Sequence, residues 1–95
     1  MKGGFCYLMT NRRHGTLYTG VTANIGARAH QHRTGAIAGF TRAHQLTRLV
    51  WYERFDDIQS AIARESAIKN WKREWKIQLI EATNPDWRDL FDELG

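Results

Sequence analysis

Tyr7, Tyr18, Arg28, His32 and Glu65 are side chains that can do chemistry, and Arg28, His32 and Glu65 stand where ordinary packing would not put them. Ile25, Arg28, Ala29 and His32 follow at i, i+3, i+4 and i+7, so one helix face carries a guanidinium and an imidazole among apolar residues. An ordinary amphipathic helix would carry leucines there. Glu65 lies three residues from both Ile62 and Ile68, in the middle of the apolar stripe of a second helix. A charge buried there without a partner is costly, so Glu65 needs a cation. Arg28 and a bound metal are the two candidates, and helix geometry alone favours the Arg28 ion pair. Collected together, these are the parts needed to cleave a phosphodiester. A divalent ion neutralises charge on the phosphate and the leaving oxygen. An arginine stabilises the extra negative charge of the transition state. A tyrosine or histidine relays a proton to or from the attacking water. One carboxylate suffices for Mg2+, which keeps several waters and draws other ligands from phosphate.

Charge points to the same kind of partner. The formal net charge is +4, but residues 1–52 hold Lys2, Arg12, Arg13, Arg28, Arg33, Arg42 and Arg48 and no acid, a balance of +7. The remainder holds seven basic and ten acidic residues, a balance of −3. A generic solvated surface mixes both signs, so an acid-free half points to phosphate and to nucleic acid. Arg12, Arg13, Arg33, Arg42, Arg48 and Lys69 are the candidate nucleic-acid contacts.

Ninety-five residues make one domain, 1–95. At 42% hydrophobic and 12% aromatic residues the chain has material for a core, which excludes disorder. No apolar run approaches the ~18 residues a bilayer span needs, and the apolar stretch near Met1 is too short for a signal peptide. Cys6 is the only cysteine, which excludes an internal disulfide and a cysteine-based zinc site and fits a reducing cytoplasm. His30 and His32 point to different helix faces, and His14 and His44 fall in connections, so a histidine zinc site is not expected.

The elements that position these groups follow from periodicity. Phe5–Thr10 alternates as a strand, with Phe5, Tyr7 and Met9 on one face and Cys6 and Leu8 on the other. Asn11–Gly15 reads as a turn in which Asn and Gly supply the unusual backbone angles. Thr16–Thr22 returns as the second strand of a hairpin, so Tyr7 and Tyr18 share a face if the register allows; either one alone reads as a half-buried sheet tyrosine. Gly20 marks a bulge or a close approach to the backbone. Asn24 caps a helix over Ile25–Arg33. Gly35–Gln45, carrying Phe40, Thr41, Arg42 and His44, reads as a mobile or loosely helical connection facing the substrate. Arg48–Phe55 is a third strand. Asp56 or Asp57 caps a long helix that runs to about Trp75 or beyond, or breaks on the way; Gln59 completes a capping box if Asp56 is the cap. Ile58, Ala61, Ile62 and Ile68 form its apolar stripe. Trp71 and Trp75, interleaved with Lys72, Arg73 and Lys76, are expected in the core rather than stacking on nucleic acid. Asn84 caps and Pro85 opens a last short helix. Trp87, Leu90, Phe91 and Leu94 would dock it, with Asp86, Asp89, Asp92 and Glu93 facing out.

On these residues the sequence resembles a GIY-YIG endonuclease domain over essentially its whole length. Phe5-Cys6-Tyr7 corresponds to the first motif and keeps only its final tyrosine; Tyr18-Thr19-Gly20 corresponds to the second, with threonine in the middle place. Thr22, followed by Arg28 and His32, matches the small stand-alone bacterial members and is similar to the nuclease domain of structure-specific endonucleases. Ala63-Arg64-Glu65 and Ile68-Lys69-Asn70-Trp71 match the metal-binding glutamate and the lysine-tryptophan run after it. Asn84-Pro85-Asp86-Trp87-Arg88-Asp89-Leu90 resembles the C-terminal ending of the stand-alone members. Val21 stands where the excision-repair branch has a lysine, and Asn70 and Asn84 are candidates for an asparagine that helps the family's site.

The resemblance implies an α/β fold of the α+β type, with a small three-stranded antiparallel sheet flanked by helices. It implies a single Mg2+ or Mn2+ and hydrolysis of DNA strands. Tyr7 and Tyr18 would position or deprotonate the water, Arg28 would bind the scissile phosphate, His32 would assist proton transfer and Glu65 would hold the metal. The function expected is a metal-dependent DNA endonuclease acting on branched or damaged DNA. The alternative is a nucleic-acid-binding module with weak or lost catalysis. With no second DNA-binding domain in view, a protein partner is the expected source of DNA specificity.

Overall fold

A computed structural model describes residues 3–36 and 39–94. Strand β1 (Gly4–Thr10) lies in the middle of a three-stranded sheet. It pairs antiparallel with β2 (Leu17–Thr22) on one side and β3 (Arg48–Phe55) on the other. Because side chains alternate across a strand, β1 feeds two separate cores. Cys6 and Leu8 join Val50, Trp51, Ile68, Ile80 and Trp87 on one face. Tyr7 and Met9 join Ile25, Ala29, Leu46, Leu49 and Leu90 on the other. The register shift lies between Leu8 and Met9 against β3, and it turns Val50 and Trp51 to one face while Leu49 goes to the other. The sheet's irregularity is therefore here, and Gly20 is not a bulge.

The hairpin turn closes differently from the expected use of Asn and Gly. The left-handed φ of 56° falls on His14. Asn11 acts through its side chain instead, whose Oδ1 accepts from the Thr16 N–H at 3.0 Å. Helix α1 (Ile25–Thr34) starts where Asn24 Oδ1 accepts from the Ala27 N–H at 3.0 Å and stops at Gly35, whose φ is +74°. It covers the Tyr7 face of the sheet. The connection that follows contains one short helix, α2 (Phe40–Ala43); Ile37 and Ala38 lie outside the described residues.

The long helix expected after β3 is two helices. Asp57, not Asp56, caps α3 (Ile58–Lys69), so Gln59 completes no capping box. The chain turns at Asn70 and restarts as α4 (Arg73–Thr83). No glycine or proline marks this break; packing imposes it. Ile68 and Ile80 both enter the Cys6 face of the core. In one straight helix they would sit about 18 Å apart and about 120° around the axis. The consequence is that Ile62 and Trp75 are not core: they are 46% and 49% exposed. Trp71 does pack against the core, with the Arg64 guanidinium 5.3 Å from its ring centroid.

The C-terminal segment overturns another expectation. Asn84 closes α4 rather than opening a helix. Its buried side chain donates to the carbonyls of Val50 (3.1 Å) and Arg88 (2.9 Å) and accepts from the Arg88 N–H (3.1 Å). Trp87 adopts a φ of 56° with no exposed surface, its indole N–H donating to Glu81 at 2.7 Å. That conformation is unfavourable for a bulky residue, and burial of the whole indole offsets it. Only then does a 3-10 turn form at Leu90–Leu94. Asp89 does not simply face out: it accepts from the Leu49 and Phe91 N–H groups and pairs with Arg33.

Candidate active site

The hairpin register sets Tyr7 opposite Gly20 and Met9 opposite Tyr18, so both phenols project from the same face. Tyr7, Tyr18 and His32 form a three-ring cluster. Ring centroids are 6.3 Å apart for the two tyrosines, 5.7 Å for Tyr7 and His32, and 5.8 Å for Tyr18 and His32. The absence of a side chain at Gly20 makes room for this. A Cβ there would lie 2.5 Å from the Tyr7 hydroxyl and 2.9 Å from the Tyr18 ring. His32 reaches the cluster from α1, where it is 4% exposed, and its Nε2 hydrogen-bonds the Tyr7 hydroxyl at 3.1 Å.

Electrostatics fix the protonation of this pair. Burial pushes the Tyr7 phenol up to about 12; Tyr18 adds to the shift and the Arg28 guanidinium opposes it. Burial also pushes His32 down to about 4, helped by the charge of Arg28. At neutral pH the site thus holds a protonated phenol against a neutral imidazole, with a cation beside both. The second ring nitrogen, Nδ1, is buried without a hydrogen-bond partner among the described residues.

Glu65 does not pair with Arg28. Its carboxylate, on a side chain 12% exposed, takes the Lys69 ammonium of the next turn at 2.7 Å. This i,i+4 pair is local and costs α3 no reorientation, which is why it forms. The hydrogen bond and charge of Glu65 raise Lys69 above its usual pKa, and Tyr18 adds to that effect. Among the described residues no group of three or more His, Cys, Asp or Glu gathers in metal-binding fashion. The donor set here is one shielded carboxylate, which fits Mg2+ or Mn2+ sharing its remaining positions between water and phosphate.

The other candidates divide. Asn84 is tied into the core by the bonds above. Asn70 ends α3, its amide donating to the Ser66 carbonyl at 2.9 Å. Arg33 pairs with Asp89 at 2.6 Å and stacks on Phe91, and Arg48 donates to the Trp87 carbonyl at 3.0 Å. Arg12, Arg13 and Arg42 are exposed, and none of the described ion pairs includes them. Asn11 and Gln45, which line a cavity with Arg12 and Arg42, were not foreseen. Gln45 sits there by a left-handed φ of 56°, for which its residue type gives no signal.

The hairpin thus stacks two tyrosines over a glycine, and the helix after it brings His32 to them with Arg28 alongside. The GIY-YIG catalytic domain model matches residues 3–78, and the chain belongs to the GIY-YIG family. Within it, the chain is similar to UPF0213 proteins. A Haloquadratum walsbyi member is 41% identical over 66 residues, covering 70% of this chain and 74% of that protein. A Staphylococcus haemolyticus member is 38% identical over 66 residues, covering 70% and 80%. The solution NMR structure of a UPF0213 protein from Bacillus halodurans superposes with a TM-score of 0.56 at 26% identity, over 92% of each chain.

Proposed function

We propose that this protein is a divalent-metal-dependent endonuclease that hydrolyses phosphodiester bonds in DNA, with branched or damaged DNA as substrate and a protein partner as the source of specificity. The observation that carries the reading is the buried contact of the Tyr7 hydroxyl with a neutral His32, with Arg28 beside both. Tyr7 and Tyr18 orient the attacking water. His32 Nε2 takes up a proton released through the Tyr7 hydroxyl. Arg28 holds the scissile phosphate and stabilises the charge that grows on it. Glu65 would hold Mg2+ or Mn2+, and the bound ion would neutralise charge on the phosphate and the leaving oxygen.

The test is a cleavage panel of supercoiled, single-stranded, flapped and four-way-junction DNA. Each substrate is incubated with Mg2+, Mn2+ or a chelator, with wild type beside Glu65→Gln. Cleavage requires metal and disappears in Glu65→Gln, whose circular dichroism matches wild type. Cleavage in chelator, or by Glu65→Gln at the wild-type rate, overturns the metal role. Retardation of DNA with no cleavage by either protein favours the binding-module reading.

A further inference from the structure

The acid-free half of the chain carries more cation than the site above uses. Arg28 belongs to that site, and Arg33 and Arg48 are engaged within the fold. Among the described residues no ion pair engages Arg12 or Arg42, and both line one cavity of about 530 Å³, with Arg33, His32, Asn11 and Gln45 in its wall. It lies between the hairpin turn, the last turn of α1 and the segment after α2. No carboxylate is among its described lining residues. Two of the last α1 carbonyls are covered: the Gly35 N–H donates to His32 O at 3.2 Å and the Ala36 N–H to Gln31 O at 2.9 Å. Guanidiniums with amide side chains around a solvent-filled hollow are the chemistry that recognises a phosphate.

His32 is both the partner of Tyr7 and a wall of this cavity. The α1 residues that line the cavity, His32 to Gly35, follow Arg28 by four to seven positions, about 6 to 10 Å along the helix axis. Consecutive phosphates of a strand wind around the duplex about 7 Å apart, roughly twice the ~3.4 Å axial rise, so over this span the guanidiniums reach a phosphate one or two nucleotides away. The geometry points to a second phosphate site: Arg12 and Arg42 together hold a backbone phosphate one or two nucleotides from the bond that is cut. That grip sets which phosphodiester lies over Tyr7. The identity of the phosphate as DNA rests on the nuclease reading.

Two measurements, both made without metal so that nothing is cut, test the site. Inorganic phosphate is titrated into the labelled protein and followed by proton–nitrogen NMR. Saturable shifts of the Arg12 and Arg42 Nε–H signals and of the Gly35 amide are expected. The affinity for a fluorescent DNA duplex is then measured against salt for wild type, Arg12→Ala/Arg42→Ala and Arg13→Ala. Arg13 is exposed in the same turn but does not line the cavity. The double variant lowers the salt slope by about 0.9, the value of one neutralised phosphate on duplex DNA, and Arg13→Ala lowers it less. A fall of about 1.8 means two separate phosphates and overturns the shared site. Phosphate-independent spectra, or equal losses in Arg13→Ala and the double variant, mean diffuse charge and overturn it too. A protein that binds phosphate here and never cuts DNA refutes the nuclease reading alone. A protein that cuts while the double variant keeps the wild-type slope refutes the second site alone.

Discussion

Cys6 and Tyr7 are neighbours on one strand and share their gross properties. Neither has exposed surface, and burial pushes both up to about 12. They differ in the face they enter. Cys6 enters the α3–α4 face, where Leu8, Val50, Ile68, Ile80 and Trp87 close over it. Tyr7 enters the α1 face and meets an imidazole nitrogen and a second phenol ring. On the first face the one strained residue, Trp87, is offset by complete burial of its indole. The second gives stability up at several points: a buried His32 nitrogen without a partner among the described residues, a histidine held neutral, and rings so close to Gly20 that no side chain fits. Departures of this kind gather where a fold has been shaped for something besides stability.

Exchanging the two residues' properties is the strongest way to break that contrast. Tyr7→Phe removes the hydroxyl and keeps the ring. Its cleavage rate should fall by about 10²–10⁴, read as single-turnover rate on the best DNA substrate. Cys6→Ala should leave the rate unchanged and cost about 1 kcal/mol in urea denaturation. A Tyr7→Phe protein that cuts normally makes both faces mere packing.

Acid sharpens the contrast next. Folded His32 stays neutral down to about 4, against an ordinary value of 6.5. Between those values the unfolded chain binds the extra proton, so stability falls as pH drops through the window, by up to about 3 kcal/mol. Cys6 contributes nothing there, because its thiol titrates from 9 upward. Denaturation midpoints at both ends of the window should converge in His32→Gln. Equal losses in wild type and variant would contradict the buried neutral imidazole. Gly20→Ala should have a smaller effect on stability, about 1–3 kcal/mol, as its Cβ displaces Tyr7. Unlike an overpacked core residue on the Cys6 face, it should slow cleavage as well.

Local periodicity made much of the α1 face legible. A period of two allowed Tyr7 and Tyr18 to share a face across the hairpin, which the register then realises, and the four-residue step put Arg28 and His32 on one side of α1. The partner of Glu65 was also local, since Lys69 is four residues on, but the pairing competes with a long-range alternative that spacing cannot rank. Elsewhere, distant contacts override local signals. Asn84-Pro85 has the chemistry of a helix start, yet the Val50 carbonyl, 34 residues away in sequence, takes the Asn84 amide. The break at Asn70 likewise comes from Ile68 and Ile80 sharing one core.

The Glu65–Lys69 pair supplies the gentlest test, because the two readings of Lys69 pull in opposite directions. The lysine is 55% exposed on its side chain, so the pair contributes under about 1 kcal/mol and Lys69→Ala should barely move the denaturation midpoint. Its ammonium nevertheless occupies the carboxylate that a metal would take. Removing it should lower the Mg2+ concentration for half-maximal cleavage by up to about fivefold, the equivalent of that pair energy. If Lys69 also contacts a DNA phosphate, the same variant should raise KM for DNA and flatten its salt dependence. The two effects separate in one experiment: a metal titration at saturating DNA reads the first, and a DNA titration at saturating metal reads the second. A metal midpoint that rises instead would mean that Lys69 positions Glu65 rather than competing for it.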